Sequence, residues 1–171
     1  MGAMLKADLQ RLTRGAVDID SRIPADDPLW GEVAITLAVP FVIEGRAQAA
    51  GRGSVLVRGS FETRVAASCR RCLTPLAVDV AETFEMLFEP WVGAGDEDFV
   101  LYHLDPDADE LDLSVPLVER LLLKMPEFPL CRADCRGLCP HCGKDLNAGD
   151  CDCRIVESDP RWAPLLALRG G

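Results

Sequence analysis

Six cysteines within 23 residues constrain this chain more than any other feature: Cys131-x3-Cys135-x3-Cys139-x2-Cys142-x8-Cys151-x-Cys153. The segment is rich in Gly, Asn, Asp and Pro, and its bulky apolar residues are essentially Leu130, Leu138, Leu146 and Ile155. That is too few to build a core, so something other than apolar burial must hold it. The other two of the eight cysteines form Cys69-Arg70-Arg71-Cys72. The first eight residues lack a cationic segment followed by an apolar core, so no secretory signal is expected and the chain is placed in the cytoplasm. Thiols there are kept reduced, which favours a soft metal over disulfides. Zinc takes four ligands in a tetrahedron, and a pair separated by two residues in a tight turn supplies two corners. Cys139-Pro140-His141-Cys142-Gly143 has that knuckle form, with Gly143 free to take positive φ and His141 expected to face solvent.

The partition of ligands stays open at this stage. In one solution Cys139, Cys142, Cys151 and Cys153 bind one zinc, and Cys131 and Cys135 join Cys69 and Cys72 around a second. In another, a single site uses tail residues such as Cys135, Cys139, Cys142 and Cys151, and the Cys69/Cys72 pair stays metal-free. One or two zinc ions are therefore expected.

Upstream of the tail, three stretches alternate with the period of half-buried strands. Val33, Ile35, Leu37, Val39, Phe41 and Ile43 share one parity, as do Val55, Val57, Phe61, Thr63 and Val65, and again Val78, Val80, Phe84, Met86 and Phe88. The opposite parity carries Thr36, Arg58, Ser60, Glu62, Arg64, Asp79 and Glu85, which suits the wet side of an antiparallel sheet. Gly45, Gly51 and Gly53 bracket one turn and Cys69–Pro75 forms another. Residues 5–12 and 97–102 are weaker strand candidates. Residues 96–112 hold eight acidic groups, no basic one and Pro106, and are expected to be a loop. Leu113, Leu117, Leu121 and Met125, with Val118 and Leu122 beside them, then fit one helix face. Ser114 reads as the N-cap, and Pro126 and Pro129 forbid continuation. The expected class is α+β: an antiparallel meander or partial barrel covered by the helix 114–124 within residues 1–128, followed by a zinc-binding tail and docking segment, 129–171. In that last part Asp159–Leu168, with Trp162, is expected to dock on the core.

Apolar residues make up 49% of the chain and charged residues 27%, an ordinary globular balance. The longest apolar stretches, Val33–Ile43 and Pro116–Met125, fall short of the ~20 residues of a membrane helix, so no membrane partner is expected. Net charge is −10 and uneven, with ten basic against twelve acidic residues in 1–95 and eight against sixteen in 96–171. A basic protein is electrostatically an easier partner than bare phosphate. Catalytic patterns are missing: the sequence has no G-x-S-x-G, phosphate loop or HExxH, and His103 is followed by Leu104-Asp105 rather than the x-Glu of zinc deaminases. A redox role for Cys69/Cys72 lacks the helix N-terminus that would activate the thiol. No enzyme and no small-molecule substrate are expected.

The ordered motifs resemble a known family. They are Ser68-Cys69-Arg70-Arg71-Cys72-Leu73 between two strands, Asp112-Leu113-Ser114 leading a helix through Leu121-Leu122, and Pro129-Leu130-Cys131-x3-Cys135-x-Gly137-Leu138-Cys139-Pro140-x-Cys142-Gly143-x3-Asn147…Cys151-x-Cys153. Asp159-Pro160-Arg161-Trp162…Leu165 closes the series. Over about residues 33–168 they are similar to the bacterial YceD family, named for large ribosomal RNA subunit accumulation. The resemblance implies a non-enzymatic role in building the large ribosomal subunit. Charge adds that the direct contact is a basic ribosomal protein or assembly factor. The competing expectation is direct binding of large-subunit rRNA through Arg64, Arg70, Arg71, Arg132, Arg136 and Lys144.

Overall fold

Two long strands joined by the first cysteine pair organise the molecule. In the computed structural model, which describes residues 5–90, 102–105 and 107–153, β4 (Ser54–Ser68) and β5 (Pro75–Pro90) pair antiparallel over almost their whole length. Their register sets Val55 opposite Phe88, Val57 opposite Met86, Thr63 opposite Val80 and Val65 opposite Val78. The period-2 apolar set of each strand thus falls on one face, and that face is buried. β3 (Phe41–Gly51) pairs with β4 through the turn Gly51-Arg52-Gly53, whose three residues all have positive φ. β2 (Val17–Ile23) pairs with β3, and the short β6 (Tyr102–Leu104) lies parallel to β5. The sheet order is β2-β3-β4-β5-β6, mixed and not closed. A separate pair is made by β1 (Lys6–Asp8) and β7 (Glu110–Asp112).

Helix α3 (Ser114–Lys124) covers the apolar face with the expected bounds and with Leu113, Leu117, Val118 and Leu121 buried. Full burial of a leucine contributes ~2 kcal/mol, so these residues are the main fastening of the helix. Arg120 points the same way. Its guanidinium pairs with Glu82 at 2.8 Å, donates to the Glu85 carbonyl at 3.1 Å and lies over the Phe84 ring. Beneath, Trp30, Phe41, Phe61 and Phe84 form a continuous aromatic row with successive ring centroids 5.4, 5.0 and 6.3 Å apart.

Several expectations are corrected. Residues 33–40 are not part of β3: Pro28, capped by Asp27, starts the short helix α2 (Pro28–Glu32), and the chain then meets β4 by bonds from Ala38 N–H to Arg64 O, from Ala66 N–H to Thr36 O and from Thr63 Oγ1 to Val39 O. Ile35 and Leu37 are still buried, while Val39 is exposed. Residues 5–12 are a strand only as far as Asp8, whose carboxylate then caps the helical turn α1 (Leu9–Leu12). The acidic stretch contains β6 and β7, because each finds a partner strand remote in sequence. The pairing of β6 also makes the sheet mixed rather than wholly antiparallel. Ser114 is not the N-cap; Leu113 occupies that position, and the Asp112 carboxylate accepts from Ser114 N–H at 2.8 Å. Gly45 belongs to no turn. It faces Gly59 inside the sheet, where a Cβ on Gly59 would lie 2.5 Å from Glu44 O. Of the expected strand 97–102 only Tyr102 is among the described residues, and the segment Asp159–Leu168 lies outside them.

Candidate metal centre

The turn between β4 and β5 is a knuckle. Cys69 N–H donates to Thr74 O and Leu73 N–H to Cys69 O, both at 2.9 Å, with Leu73 at φ +60°. The segment after α3 is laid against this turn by the backbone: Arg70 N–H donates to Pro129 O at 2.9 Å and Leu138 N–H to Arg71 O at 3.0 Å. Arg71 Nη1 donates to Cys135 O at 2.8 Å. At Gly137, φ is +75° and a Cβ would meet the Arg71 carbonyl at 2.9 Å, so this close approach needs glycine.

These contacts gather Cys69, Cys72, Cys131 and Cys135, whose sulfurs all lie within 4.8 Å of one another. Cys69 Sγ is 3.7 Å from Cys135 Sγ, and Cys72 Sγ is 3.6 Å from Cys131 Sγ. A disulfide needs about 2.05 Å, whereas a tetrahedron of thiolates at about 2.3 Å from a metal has edges of about 3.8 Å. The donor set therefore fits a four-coordinate soft metal ion. Cys69, Cys72 and Cys135 are buried with Leu76 and Leu138 packed against them, and Cys131 is exposed.

Cys139, Cys142, Cys151 and Cys153 form a second group of the same kind, more open to solvent. Cys139 N–H donates to Lys144 O at 2.8 Å and Gly143 N–H to Cys139 O at 2.9 Å, with Gly143 at φ +73°. His141 is exposed and stands outside both groups. The eight sequence-selected cysteines are thus brought together as two fours, the arrangement of the first partition.

Charge inside each group is divided. Backbone N–H groups of Cys131 and Cys72 aimed at Cys69 hold its thiol down at about 6, and those of Cys142 and His141 do the same for Cys139, also about 6. Thr74, 3.2 Å from Cys72 Sγ, lowers that thiol as well. Burial, then the adjacent Cys135, pushes Cys131 up to about 12; contact with Cys142, then burial, pushes Cys153 up to about 12. Four thiols this close cannot all ionise without a cation among them, and a bound dication would supply it.

Asn147, from the loop between Cys142 and Cys151, reaches Cys135 of the first group, a role the sequence reading did not assign although Gly143-x3-Asn147 stood in its motif. Its Oδ1 accepts from Arg136 N–H and from Arg132 Nη2, both at 2.8 Å, and its Nδ2 donates to Asp145 Oδ1 at 2.7 Å and lies 3.5 Å from Cys135 Sγ. The basic residues named as an RNA footprint are mostly engaged locally. Arg64 pairs with Asp79 at 2.6 Å, Arg136 with Asp150, and Arg132 with Asp134 at 3.4 Å, while Arg70 lies over the Phe128 ring.

Residues 57–169, which include all eight cysteines, match the family described as large ribosomal RNA subunit accumulation protein YceD. The chain belongs to the YceD family. An uncharacterised protein of Mycobacterium tuberculosis is 34% identical over 139 residues, which cover 81% of this chain and 66% of that protein. One from Mycobacterium leprae is 32% identical over 139 residues, 78% of this chain and 61% of its own. The chain thus spans slightly less than two thirds of the length of these curated relatives. The YceD homolog 1 of Arabidopsis thaliana, a chloroplastic large ribosomal RNA subunit accumulation protein, is 34% identical over 67 residues, 39% of this chain and 21% of that protein. No solved structure matches. Among the described residues of this YceD-family chain, no helix is long and apolar enough to cross a membrane.

Proposed function

We propose that this chain acts without catalysis in building the large ribosomal subunit: it supports accumulation of large-subunit rRNA by contacting a basic ribosomal protein or assembly factor in the cytoplasm, and two structural zinc ions hold its C-terminal segment. The observation that carries the functional part is the family match over residues 57–169. Zinc is the metal favoured by two sets of four thiolates in reducing surroundings, since it is redox-inert and accepts tetrahedral sulfur without strain. Bound there, it supplies cross-links in place of the missing apolar core and neutralises the crowded sulfurs. In the first group the chain itself contributes the acidifying N–H groups around Cys69; around Cys135 it contributes the Asn147 and Arg71 contacts that orient the ligand.

The choice of a protein partner over naked RNA rests on charge. The net charge of −10 repels phosphate, and Arg132 and Arg136, the tail arginines among the described residues, are already paired with carboxylates or with Asn147. The test removes the gene and measures the ratio of large- to small-subunit rRNA, then captures the tagged chain from lysate with and without nuclease. A fall in the ratio, with a basic ribosomal protein or assembly factor retained after nuclease, is expected. An unchanged ratio would overturn the role, and loss of every partner on nuclease treatment would transfer the contact to rRNA.

A further inference from the structure

Helix α3 is apolar on more sides than its own fold uses. Leu117, Val118 and Leu121 face the sheet, yet the opposite stripe carries Val115, Leu122 and Leu123, which are 66, 44 and 87% exposed. At 100° per residue these three and Glu119 occupy one continuous arc. Leu122 was expected beside the buried face and is instead in this arc. An apolar helix stripe is normally buried, and among the described residues nothing covers this one. Just beyond the helix end, Phe128 is 63% exposed, with the Arg70 guanidinium over its ring. At the other end Val115 and Pro116 border a cleft of about 320 Å³ that also includes Leu104, with Glu110 and Asp112 at its rim.

Charge decides what can cover this face. Between Asp105 and Glu127 there are seven acidic residues and two basic ones, Arg120 and Lys124, and Arg120 is turned inward to Glu82. Stacking a second copy on the stripe would bring two chains of net charge −10 together with Glu119 in the contact. An anionic lipid surface would be repelled in the same way. A cationic amphipathic segment meets neither obstacle. Its apolar side would cover Val115, Leu122 and Leu123, and its lysines or arginines would reach Glu119, Asp112 and Glu127. The cleft beside Val115 suits one such side chain, methylenes against Leu104 and Pro116 and the charged head at Asp112, since Glu110 pairs with Lys6.

We infer that the outer face of α3, from Val115 to Leu123, is the docking site for a cationic amphipathic segment of a protein partner. This deepens the basic-protein reading above and rests on it. The purified full chain is titrated with a synthetic amphipathic peptide of leucine and lysine, and in parallel with its leucine–glutamate counterpart, with hydrogen exchange locating the contact. The lysine peptide should bind and protect residues 114–128. Leu122→Ser with Leu123→Ser, both solvent-facing and so compatible with folding, should weaken it about tenfold. Equal binding of the glutamate peptide, protection elsewhere, or an unaffected double variant would overturn the inference. So would a concentration-dependent dimer of the free chain that the double variant abolishes, since a second copy would then be the occupant. In cells lacking the gene, wild type should restore the rRNA ratio and the double variant should not. If both restore it, the docking site falls and the role stands; if deletion never altered the ratio, the role itself falls.

Discussion

Replacing Cys131 and Cys135 by Ser should destabilise the sheet, whereas replacing Cys139 and Cys142 should not. The difference follows from what each metal would tie together. The first group links the β4–β5 turn to the segment after α3, and Cys69 and Cys135 are 66 residues apart. Cross-linking a loop of that length removes unfolded-state entropy worth about 4 kcal/mol at 25 °C. Cys139 and Cys153 are only 14 residues apart, which corresponds to about 3 kcal/mol, and their loop includes none of the sheet. For a chain of this size 1 kcal/mol moves Tm by about 2–4 °C, so the first variant should melt roughly 8–16 °C lower. The second should keep the sheet transition within about 2 °C of wild type, because that loop closure is confined to the tail. Thermal melting by circular dichroism, with zinc per chain measured on the same samples, gives the comparison. Wild type melted in excess chelator separates the metal from packing changes, and should fall to the level of the Cys131/Cys135 variant or below it. If the chelator leaves wild-type Tm unchanged, or the two variants lose equal stability, the cross-link reasoning is wrong.

Metal uptake should release protons. At neutral pH Cys131 and Cys153, near 12, carry protons that zinc must expel, while Cys69 and Cys139, near 6, do not. Affinity should rise with pH and climb more steeply below about pH 6, where those two must also be deprotonated; calorimetry in two buffers of different ionisation enthalpy reads the count, and zero protons per zinc would refute it. Gly59→Ala should cost about 1–3 kcal/mol by denaturant titration, since its Cβ would sit 2.5 Å from Glu44 O and 3.0 Å from the Phe84 ring; a variant as stable as wild type would show that β3 and β4 can separate locally without cost. Neutralising Asp105, Asp107 and Asp109 should weaken association with basic large-subunit proteins, mostly by slowing encounter, with the effect fading above about 0.15 M salt. Glu110 is spared because it pairs with Lys6 at 2.9 Å. Binding is followed across a salt series with proteins and with purified rRNA, and tighter rRNA binding with unchanged protein binding would reverse the assignment.

What could be read in advance depended on how local the deciding interactions are. The limits of α3 were legible because amphipathic spacing and Pro126 act within the segment itself. The faces of β4 and β5 were legible because parity survives any register that buries them. β2 carried the same signal in Val17, Ile19 and Ile23, alternating with Asp18, Asp20 and Arg22, but in too short a run to stand out. β6 and β7 had no such signal; three residues become a strand only when a remote partner supplies the hydrogen bonds. The cysteine spacing identified the ligands but could not choose between partitions, because the choice depends on Arg70 and Arg71 meeting Pro129 and Leu138. Leu122 was misplaced for a related reason: helical period assigns a residue to a side, and only packing shows which sides are covered.

The two cysteine groups therefore stand in different relations to the fold. The second draws all its ligands from within 15 residues, and its geometry needs little beyond the turn at Gly143. The first needs the β4–β5 hairpin formed, α3 in place and the chain beyond it returned to the turn, so its donors come together only in the folded state. Metal bound there stabilises that state alone, which makes it a lock on a tertiary arrangement rather than a fold nucleus. Asn147 and Gly137 connect the levels: one bridges Cys135 to the loop that carries the second group, and the other lets that loop approach Arg71 closely. The same lock holds Phe128 and Pro129 against Arg70, just beyond the end of α3. The edge of the apolar, acid-rimmed face thus depends on the buried cysteine group, and metal loss at that group would disorder the edge before it reached the sheet.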